Sequence, residues 1–300
     1  MNNLAIRSLT ALIGIPLIIW LTMLGGWFFF SLIALLSAIG LHEFYMLARH
    51  RGSIPQLAMG LVMGFCVNGI FFHRKVKPLI AEMLTGVSVL SAQSMFVYGV
   101  IFFVALILVV ELFRGRPSPS LNAGTTLLGV FYVSLFFGTL IGIREMFNPL
   151  AFPEASAEHV YDWGGYMVIV VFASIWMCDS AAYFVGLGLG RNKLLPRVSP
   201  GKTREGAVGG FLAAVICFVL GKSLFLPFMS MGSAVVCGLI VGSIGQIGDM
   251  VESLLKRDSN VKDSSAIIPG HGGVLDRFDS LLMVSPVLFL YLQFFVVGLK

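Results

Sequence analysis

The chain contains 300 residues, of which 57% are hydrophobic and only 12% are charged, about half of the roughly 25% charged residues found in soluble domains. This composition excludes a soluble globular protein and indicates a polytopic membrane protein. The formal net charge of +5 is explained by basic loops on one side of a membrane, so no nucleic-acid binding is predicted. The four cysteines lie in apolar stretches without metal or redox spacing, and we interpret them as core residues.

Nine apolar stretches approach the length of about 20 residues that a helix needs to cross a membrane. In chain order they cover residues 9–24, 26–48, 55–72, 95–113, 121–143, 165–190, 205–225, 231–251 and 280–299. The predicted fold is therefore all-α, with about nine transmembrane helices. Three regions are expected: an N-terminal scaffold (1–94), middle helices that could provide a dimer contact (95–164) and a C-terminal catalytic region (165–300).

The distribution of Lys and Arg predicts the orientation of the chain, because cytoplasmic loops of membrane proteins carry an excess of these residues. With nine spans, 14 of the 20 Lys and Arg residues lie on the same side as the N-terminus. We therefore expect the N-terminus and the charged loops of this multi-pass protein to face the cytoplasm. The expected location is a bacterial inner membrane.

The first three spans are interpreted as scaffold. His42 and Glu43 lie inside the second span, within seven residues of Arg49 near its end, where long side chains can still reach polar surroundings. Hydrogen bonding between helices, or snorkelling, is favoured for both residues over catalysis. The segment 73–94 carries a small basic cluster and is expected to rest on lipid headgroups on the opposite side of the membrane.

The sixth predicted span contains an acidic residue far from its ends. Asp179 lies about 11 residues from the cytoplasmic end, which corresponds to a depth of about 16 Å at the rise of an α-helix. A carboxylate at such a depth costs at least about 2.5–3.5 kcal/mol, and such residues usually face a wet cavity or a partner. We predict a functional role for Asp179 rather than a purely structural ion pair, with Ser180 and Tyr183 beside it on the same helix.

A basic segment, residues 190–210, joins the sixth and seventh spans. Its Gly201-Lys202-Thr203 is similar to the end of a nucleotide-binding P-loop. That motif requires glycine where this chain has Pro196. We therefore reject a Walker A site at this position.

The same segment leads into a helix that is predicted to begin near Glu205. Free backbone amides and the positive end of such a helix favour phosphate. Lys202 and Arg204, which are held between a proline and the next span, are predicted to contact phosphate. Arg191 and Lys193 are interpreted as ordinary positive-inside charge.

Acidic residues stand at the end of the eighth span and before the ninth. Asp249, Glu252 and Lys256 follow at helical spacing and share one helix face, and Asp276 and Asp279 share another. Two carboxylate-bearing helix ends can therefore meet at one membrane face. Since Mg²⁺ commonly binds one or two carboxylates together with substrate phosphates and water, we predict that Asp249 and Asp276 bind Mg²⁺. Salt bridges among the charged side chains are the alternative.

The charge of this apolar chain is concentrated in residues 253–279, which lie between and around these helix ends. The segment holds four basic residues and four acidic ones: Lys256, Arg257, Lys262, Arg277, Asp258, Asp263, Asp276 and Asp279. Glycines at 270, 272 and 273 would allow the backbone to approach a ligand closely, or could form a plain turn. His271 between them could donate to a phosphate or cap the turn.

The segment closely resembles the signature of the CDP-diacylglycerol synthases, also called phosphatidate cytidylyltransferases. Every position of that signature matches here: Ser253, Lys256-Arg257, Lys262-Asp263, Pro-Gly-His-Gly-Gly at 269–273, and Asp276-Arg277-x-Asp279. Ser-Pro-Gly-Lys-Thr-Arg-Glu-Gly at 199–206 and Asp-Ser-Ala-Ala-Tyr at 179–183 are similar to other landmarks of this family. The resemblance is strong from about 175 to 282 and weak in the N-terminal half.

The resemblance implies an enzyme that converts CTP and phosphatidate to CDP-diacylglycerol and pyrophosphate. It further implies Mg²⁺, K⁺ as a second cation, and a homodimer in the lipid bilayer. We expect catalytic roles for Asp249, Asp276, Lys262 and Asp179, with Asp249 and Asp276 as the metal ligands. The residues expected to bind substrate are Lys202, Arg204, Ser253, Lys256, Arg257, Asp263, His271, Gly272, Gly273, Arg277 and Asp279.

The chemistry of these residues agrees with the implied reaction. The second pKa of a phosphate monoester is about 6, so the attacking phosphate is largely deprotonated at neutral pH and needs no strong general base. The site must instead overcome the repulsion between two anions by positive charge and in-line positioning. Two other functions stay open: a kinase of lipid alcohols, and an anion transporter that uses Asp179 and the basic loops as its pathway.

Overall fold

The computed structural model describes residues 3–73, 75–78, 90–147, 152, 157–268, 270 and 272–298. Nine long helices follow one another in this part of the chain: α1 (Asn3–Leu24), α2 (Gly26–Arg49), α3 (Leu57–Phe71), α4 (Ala92–Arg114), α5 (Pro119–Glu145), α6 (Ala157–Leu189), α7 (Arg204–Phe225), α8 (Met231–Asp258) and α9 (Leu275–Tyr291). Among the described residues, Val130–Ser134 within α5 and Leu292–Val297 after α9 are π-helical. Two short antiparallel strands, β1 (Lys193–Leu195) and β2 (Ser199–Thr203), separate α6 from α7.

Seven of these helices, α2 and α4 to α9, are long and apolar enough to cross a membrane. The first and third predicted spans correspond to shorter apolar helices, Thr10–Leu24 and Leu57–Phe71, in the residues that the structure describes. The prediction of a helical, polytopic membrane protein is therefore confirmed. The hairpin of β1 and β2 was not predicted, because the basic residues of this segment indicated a loop.

One hydrophobic core joins the N-terminal and C-terminal parts of the chain. It contains the buried side chains of Leu41 in α2, Val133 in α5, Val241 in α8 and Val284 in α9. Helix α2 packs against both α5 and α9. The helices interpreted as scaffold therefore contact the helices that carry the predicted site, and the division into three regions stays a prediction.

Helices α8 and α9 extend further into the charged segment than hydropathy predicts. Helix α8 continues to Asp258 rather than ending near residue 251, and α9 begins at Leu275 rather than at residue 280. Charged side chains lower the hydropathy of a stretch, but they do not prevent it from being helical. The acidic and basic residues of both helix ends therefore stand on regular helices.

The same two helices are in backbone contact. A Cβ atom at Gly248 of α8 would lie 2.7 Å from the carbonyl oxygen of Asp279 and 3.1 Å from the Cα atom of Ser280. A side chain at residue 248 would prevent this approach, as is common where membrane helices pack closely. Because Asp249 follows Gly248 directly, the acidic ends of α8 and α9 lie side by side.

A buried arginine fastens α1 to the end of α5. Arg144 is 3% exposed, and its guanidinium group donates to the carbonyl oxygens of Thr22 (2.8 Å) and Met23 (3.1 Å). These carbonyls belong to the last turn of α1, which has no intrahelical partners for them. The neighbouring Glu145 accepts from the amide of Gly26 at 3.0 Å, so both sides of the α1–α2 junction are held by α5.

We expect Arg144→Ala to lower the free energy of unfolding by roughly 3 kcal/mol, because charged hydrogen bonds are lost and buried carbonyl groups keep no donor. Thermal unfolding of the purified protein in detergent measures this change. Arg116→Ala removes an exposed arginine and should shift stability by less than about 0.5 kcal/mol. Equal melting temperatures for the two variants would contradict the structural role of Arg144.

Candidate active site

A first polar cluster joins α6, the hairpin, α8 and α9. The ammonium group of Lys202 lies 2.5 Å from Asp249 Oδ2, and the hydroxyl of Ser253 donates to Asp249 at 3.3 Å. Asp179 and Asp279 interact electrostatically with both Asp249 and Lys202. The direct ion pair of this cluster joins Lys202 to Asp249, and the carboxylates of Asp179 and Asp279 add negative charge near it.

A second cluster lies one turn further along α8. The ammonium group of Lys256 is 2.5 Å from Glu252 Oε2 and 2.7 Å from Asp276 Oδ1. The side chains are 12%, 2% and 6% exposed, respectively. Because all three are withdrawn from water, removing the lysine would leave two carboxylates in the protein without a compensating cation.

Asp276 also organises the residues that precede α9. Its Oδ2 accepts hydrogen bonds from the amides of Ser264 (2.9 Å) and Gly273 (2.8 Å) and from the hydroxyl of Ser264 (3.0 Å). Gly272 has a φ of +87°, and a Cβ atom at Gly273 would collide with Ser264 Oγ and lie 2.7 Å from Glu43 Oε2. The backbone at Gly272 and Gly273 therefore approaches protein side chains closely, and its approach to a ligand stays a prediction.

Glu43 of α2 reaches the same residues from the N-terminal part of the chain. It is 1% exposed and accepts from the hydroxyls of Ser264 (3.2 Å) and Ser265 (2.6 Å) and from the amides of Val274 (3.0 Å) and Leu275 (2.8 Å). Glu43 thus makes the hydrogen bonds between helices that its place in an apolar span predicts, but its connection with the site was not predicted. The available signal was an acidic residue inside an apolar span, which is costly unless it is paired.

The start of α7 differs from the expected phosphate-binding helix end. The hydroxyl of Thr203 accepts from the amide of Gly206 at 3.1 Å, and the amide of Arg204 donates to the carbonyl of Asn192 at 2.8 Å. Two of the amides predicted to meet phosphate are thus bonded within the protein. The side chains of Lys202 and Arg204 are the groups left to fulfil that prediction.

The remaining predicted residues lie at the surface around the two clusters. Five of them have exposed side chains in α7, α8, α9 or the connection between α8 and α9: Arg204, Arg257, Lys262, Asp263 and Arg277. Asp179 is exposed as well, and its functional role stays a prediction. His271 lies outside the described residues.

The donors in these clusters suit a hard divalent cation. In the part of the chain that the structure describes, no three His, Cys, Asp or Glu side chains are arranged to hold a metal ion by themselves. Mg²⁺ does not require such a group, because substrate phosphates and water complete its shell. The Asp249 side chain is 32% exposed, and Asp276 Oδ1 keeps a lone pair beside its bond to Lys256. Each carboxylate can therefore offer an oxygen atom to a cation, but the structure places Asp249 and Asp276 in separate clusters, each beside its own lysine. That they bind one Mg²⁺ together stays a prediction.

Comparison with known proteins identifies the family. Residues 5–295 match the model of the cytidylyltransferase family. The phosphatidate cytidylyltransferase of Synechocystis sp. is 32% identical over 301 residues, which cover 95% of each chain. That of Brucella suis is 32% identical over 97% of this chain and 94% of its own, and that of Bacillus subtilis is 39% identical over 58% of this chain and 60% of its own. The chain therefore belongs to the cytidylyltransferase family, among the phosphatidate cytidylyltransferases, and is a nucleotidyltransferase of the membrane.

Proposed function

We propose that this enzyme transfers the cytidylyl group of CTP to phosphatidate, giving CDP-diacylglycerol and pyrophosphate, at the cytoplasmic face of a bacterial inner membrane. The family and the names of the relatives support the reaction. The observation that carries the proposal is the pairing of Asp249 with Lys202, and of Asp276 with Lys256, at adjacent helix ends. The excess of Lys and Arg on the N-terminal side supports the cytoplasmic face.

In this reaction a phosphate oxygen of phosphatidate attacks the α-phosphorus of CTP. A new P–O bond forms while the bond between the α-phosphorus and the bridging oxygen breaks, and pyrophosphate leaves. The protein needs no strong base, because the second pKa of the attacking phosphate is about 6. Its task is to position two anions and to balance their charge.

The charged side chains divide this task. Mg²⁺ held by Asp249 and Asp276 would neutralise charge on the triphosphate. Lys202, Arg204, Arg257 and Lys262 would neutralise the lipid phosphate and the departing pyrophosphate. Asp179 and Asp279 add negative charge around Lys202, which a second cation such as K⁺ would offset. A homodimer in the bilayer completes the proposal, and its mass in detergent tests it.

The decisive assay uses the purified protein in detergent with phosphatidate, Mg²⁺ and CTP labelled in its cytidine. Pyrophosphate and a labelled lipid are expected in equal amounts. A kinase of lipid alcohols would release a nucleoside diphosphate and leave the label in the aqueous phase. Anion flux into liposomes in the absence of nucleotide would support a transporter instead. Either of these results would replace the proposed reaction.

Lys262→Ala should lower kcat by about 100-fold, the usual effect of removing one donor to developing charge. The side chain is exposed, so the melting temperature should not change. Lys193→Ala, which removes an exposed lysine of β1, is the matched control and should keep full activity. Unchanged turnover in Lys262→Ala would remove this residue from the site.

A further inference from the structure

A chain of polar contacts runs from α2 to the candidate active site. The hydroxyl of Ser264 lies 3.2 Å from Glu43 Oε2 and 3.0 Å from Asp276 Oδ2. Asp276 is paired with Lys256, which in turn contacts Glu252. A carboxylate outside the family signature is thus linked through direct contacts to the ends of both α8 and α9.

Glu43 acts as the N-terminal cap of α9. The residue at the N-cap position, Val274, offers no side-chain hydrogen bond to the helix, and the amides of Val274 and Leu275 donate to Glu43 instead. A carboxylate at this place satisfies amides that a helix start leaves open, and it interacts favourably with the helix dipole. Because Asp276 and Asp279 follow within the first turns of α9, Glu43 fixes the helix end that carries them.

The pattern of donors requires a charged carboxylate at residue 43. Oε1 accepts from the amide of Val274 and from the hydroxyl of Ser265, and Oε2 accepts from the amide of Leu275. The hydroxyl of Ser264 lies between Oε2 and Asp276 Oδ2, which share its one proton. A glutamine would turn its NH₂ group toward one of these two amides in either orientation. Since a backbone amide cannot accept a hydrogen bond, the cap would be lost on one side.

We propose that Glu43 is a positioning residue for cytidylyl transfer. It holds the pre-α9 segment (residues 264–268 and 272–274) and the first turn of α9, so that Asp276 and Lys256 keep their place beside the substrates. This inference rests on the proposed function. Its distinctive consequence is that loss of the charge at residue 43 impairs turnover even in enzyme that is fully folded.

The test compares Glu43→Gln with Glu111→Gln in the detergent assay. Glu111 is a buried carboxylate in a separate cluster, where it accepts from Gln56, Asn122 and Arg114. For Glu43→Gln we expect kcat per folded molecule to fall about 100-fold, as for a displacement near 1 Å, with KM for CTP changed less than about threefold. Hydrogen exchange at Val274 and Leu275 should accelerate. Glu111→Gln should lose stability and keep the kcat of the wild type.

Several results would overturn the inference. Wild-type kcat and wild-type exchange in Glu43→Gln would exclude a positioning role, and so would equal losses of kcat in the two variants. If Glu43→Gln does not fold, Ser265→Ala removes the 2.6 Å hydroxyl contact to Glu43, together with the acceptor of the Ile267 amide, and should still lower kcat by about 10-fold. Full activity in this variant would count against the proposal. If the wild type releases no pyrophosphate, the proposed function is refuted. The capping role of Glu43 would still be tested by hydrogen exchange at Val274 and Leu275.

Discussion

Asp249→Asn is expected to lower kcat by about 1000-fold, at the upper end of what one charge-stabilising group supplies. Asparagine has the same shape: its oxygen can accept from Lys202 while its NH₂ group donates to the hydroxyl oxygen of Ser253, so it can still contact both groups that contact Asp249. The fold should therefore persist, while the affinity of the site for a divalent cation falls with the lost charge. Product formation at increasing Mg²⁺ concentration measures both effects, and half-saturation should move to higher Mg²⁺.

Two further variants make this result specific. Asp258→Asn alters an exposed carboxylate of the same helix, one that pairs with Arg51 at 2.7 Å, and it should keep the kcat and Mg²⁺ dependence of the wild type. Asp276→Asn should also raise the Mg²⁺ requirement, and it should lose stability because its Oδ2 holds Ser264 and Gly273. Wild-type Mg²⁺ dependence in Asp249→Asn or Asp276→Asn would refute the assignment of that residue as a ligand.

Lys256→Met is expected to cost about 3–5 kcal/mol of stability, because it leaves two buried carboxylates facing each other without a cation. Glu252 Oε2 and Asp276 Oδ1 lie 2.5 Å and 2.7 Å from the ammonium group, and methionine retains most of the apolar stem without the charge. Thermal unfolding in detergent should show the loss directly. Activity should fall as well, since Asp276 would no longer be held in place.

A double variant separates the two consequences. Adding Glu252→Gln to Lys256→Met removes one of the opposed charges and should restore a large part of the lost stability. It should not restore activity, because the basic group beside Asp276 is still missing. Recovery of both properties would show that Lys256 serves the fold alone, and a melting temperature unchanged by Lys256→Met would contradict the buried ion pair.

The length of the apolar stretches was sufficient to predict the helices, and helical spacing was sufficient to predict which charged residues share a helix face. The face shared by Asp249, Glu252 and Lys256 follows from spacing alone, and the helix Met231–Asp258 contains all three. Hydropathy placed the start of α9 at residue 280, five residues too late, because Asp276, Arg277 and Asp279 lower the average. The group that caps this helix, Glu43, is more than 200 residues away in the chain, so no local signal could connect it with α9.

The partners in the ion pairs could not be predicted from the sequence either. Lys202 was predicted to contact phosphate, and in the structure it lies against Asp249, which a substrate phosphate would have to share or replace. Spacing shows which residues occupy one helix face, but the choice among several nearby partners depends on how three helices and a hairpin pack. The strands Lys193–Leu195 and Ser199–Thr203 are too short to leave a clear alternation of polar and apolar residues.

The backbone contact at Gly248 has a consequence for anyone who transfers this chemistry to another protein. The interval between the two acidic helix ends is set by main-chain atoms, since residue 248 contributes no side chain between α8 and the Asp279 carbonyl. Grafting the carboxylates and lysines onto an ordinary pair of helices, with a wider axial separation, would reproduce the residues without their spacing. A redesigned enzyme would therefore need the close backbone contact between the two helices before the charged groups could take their positions.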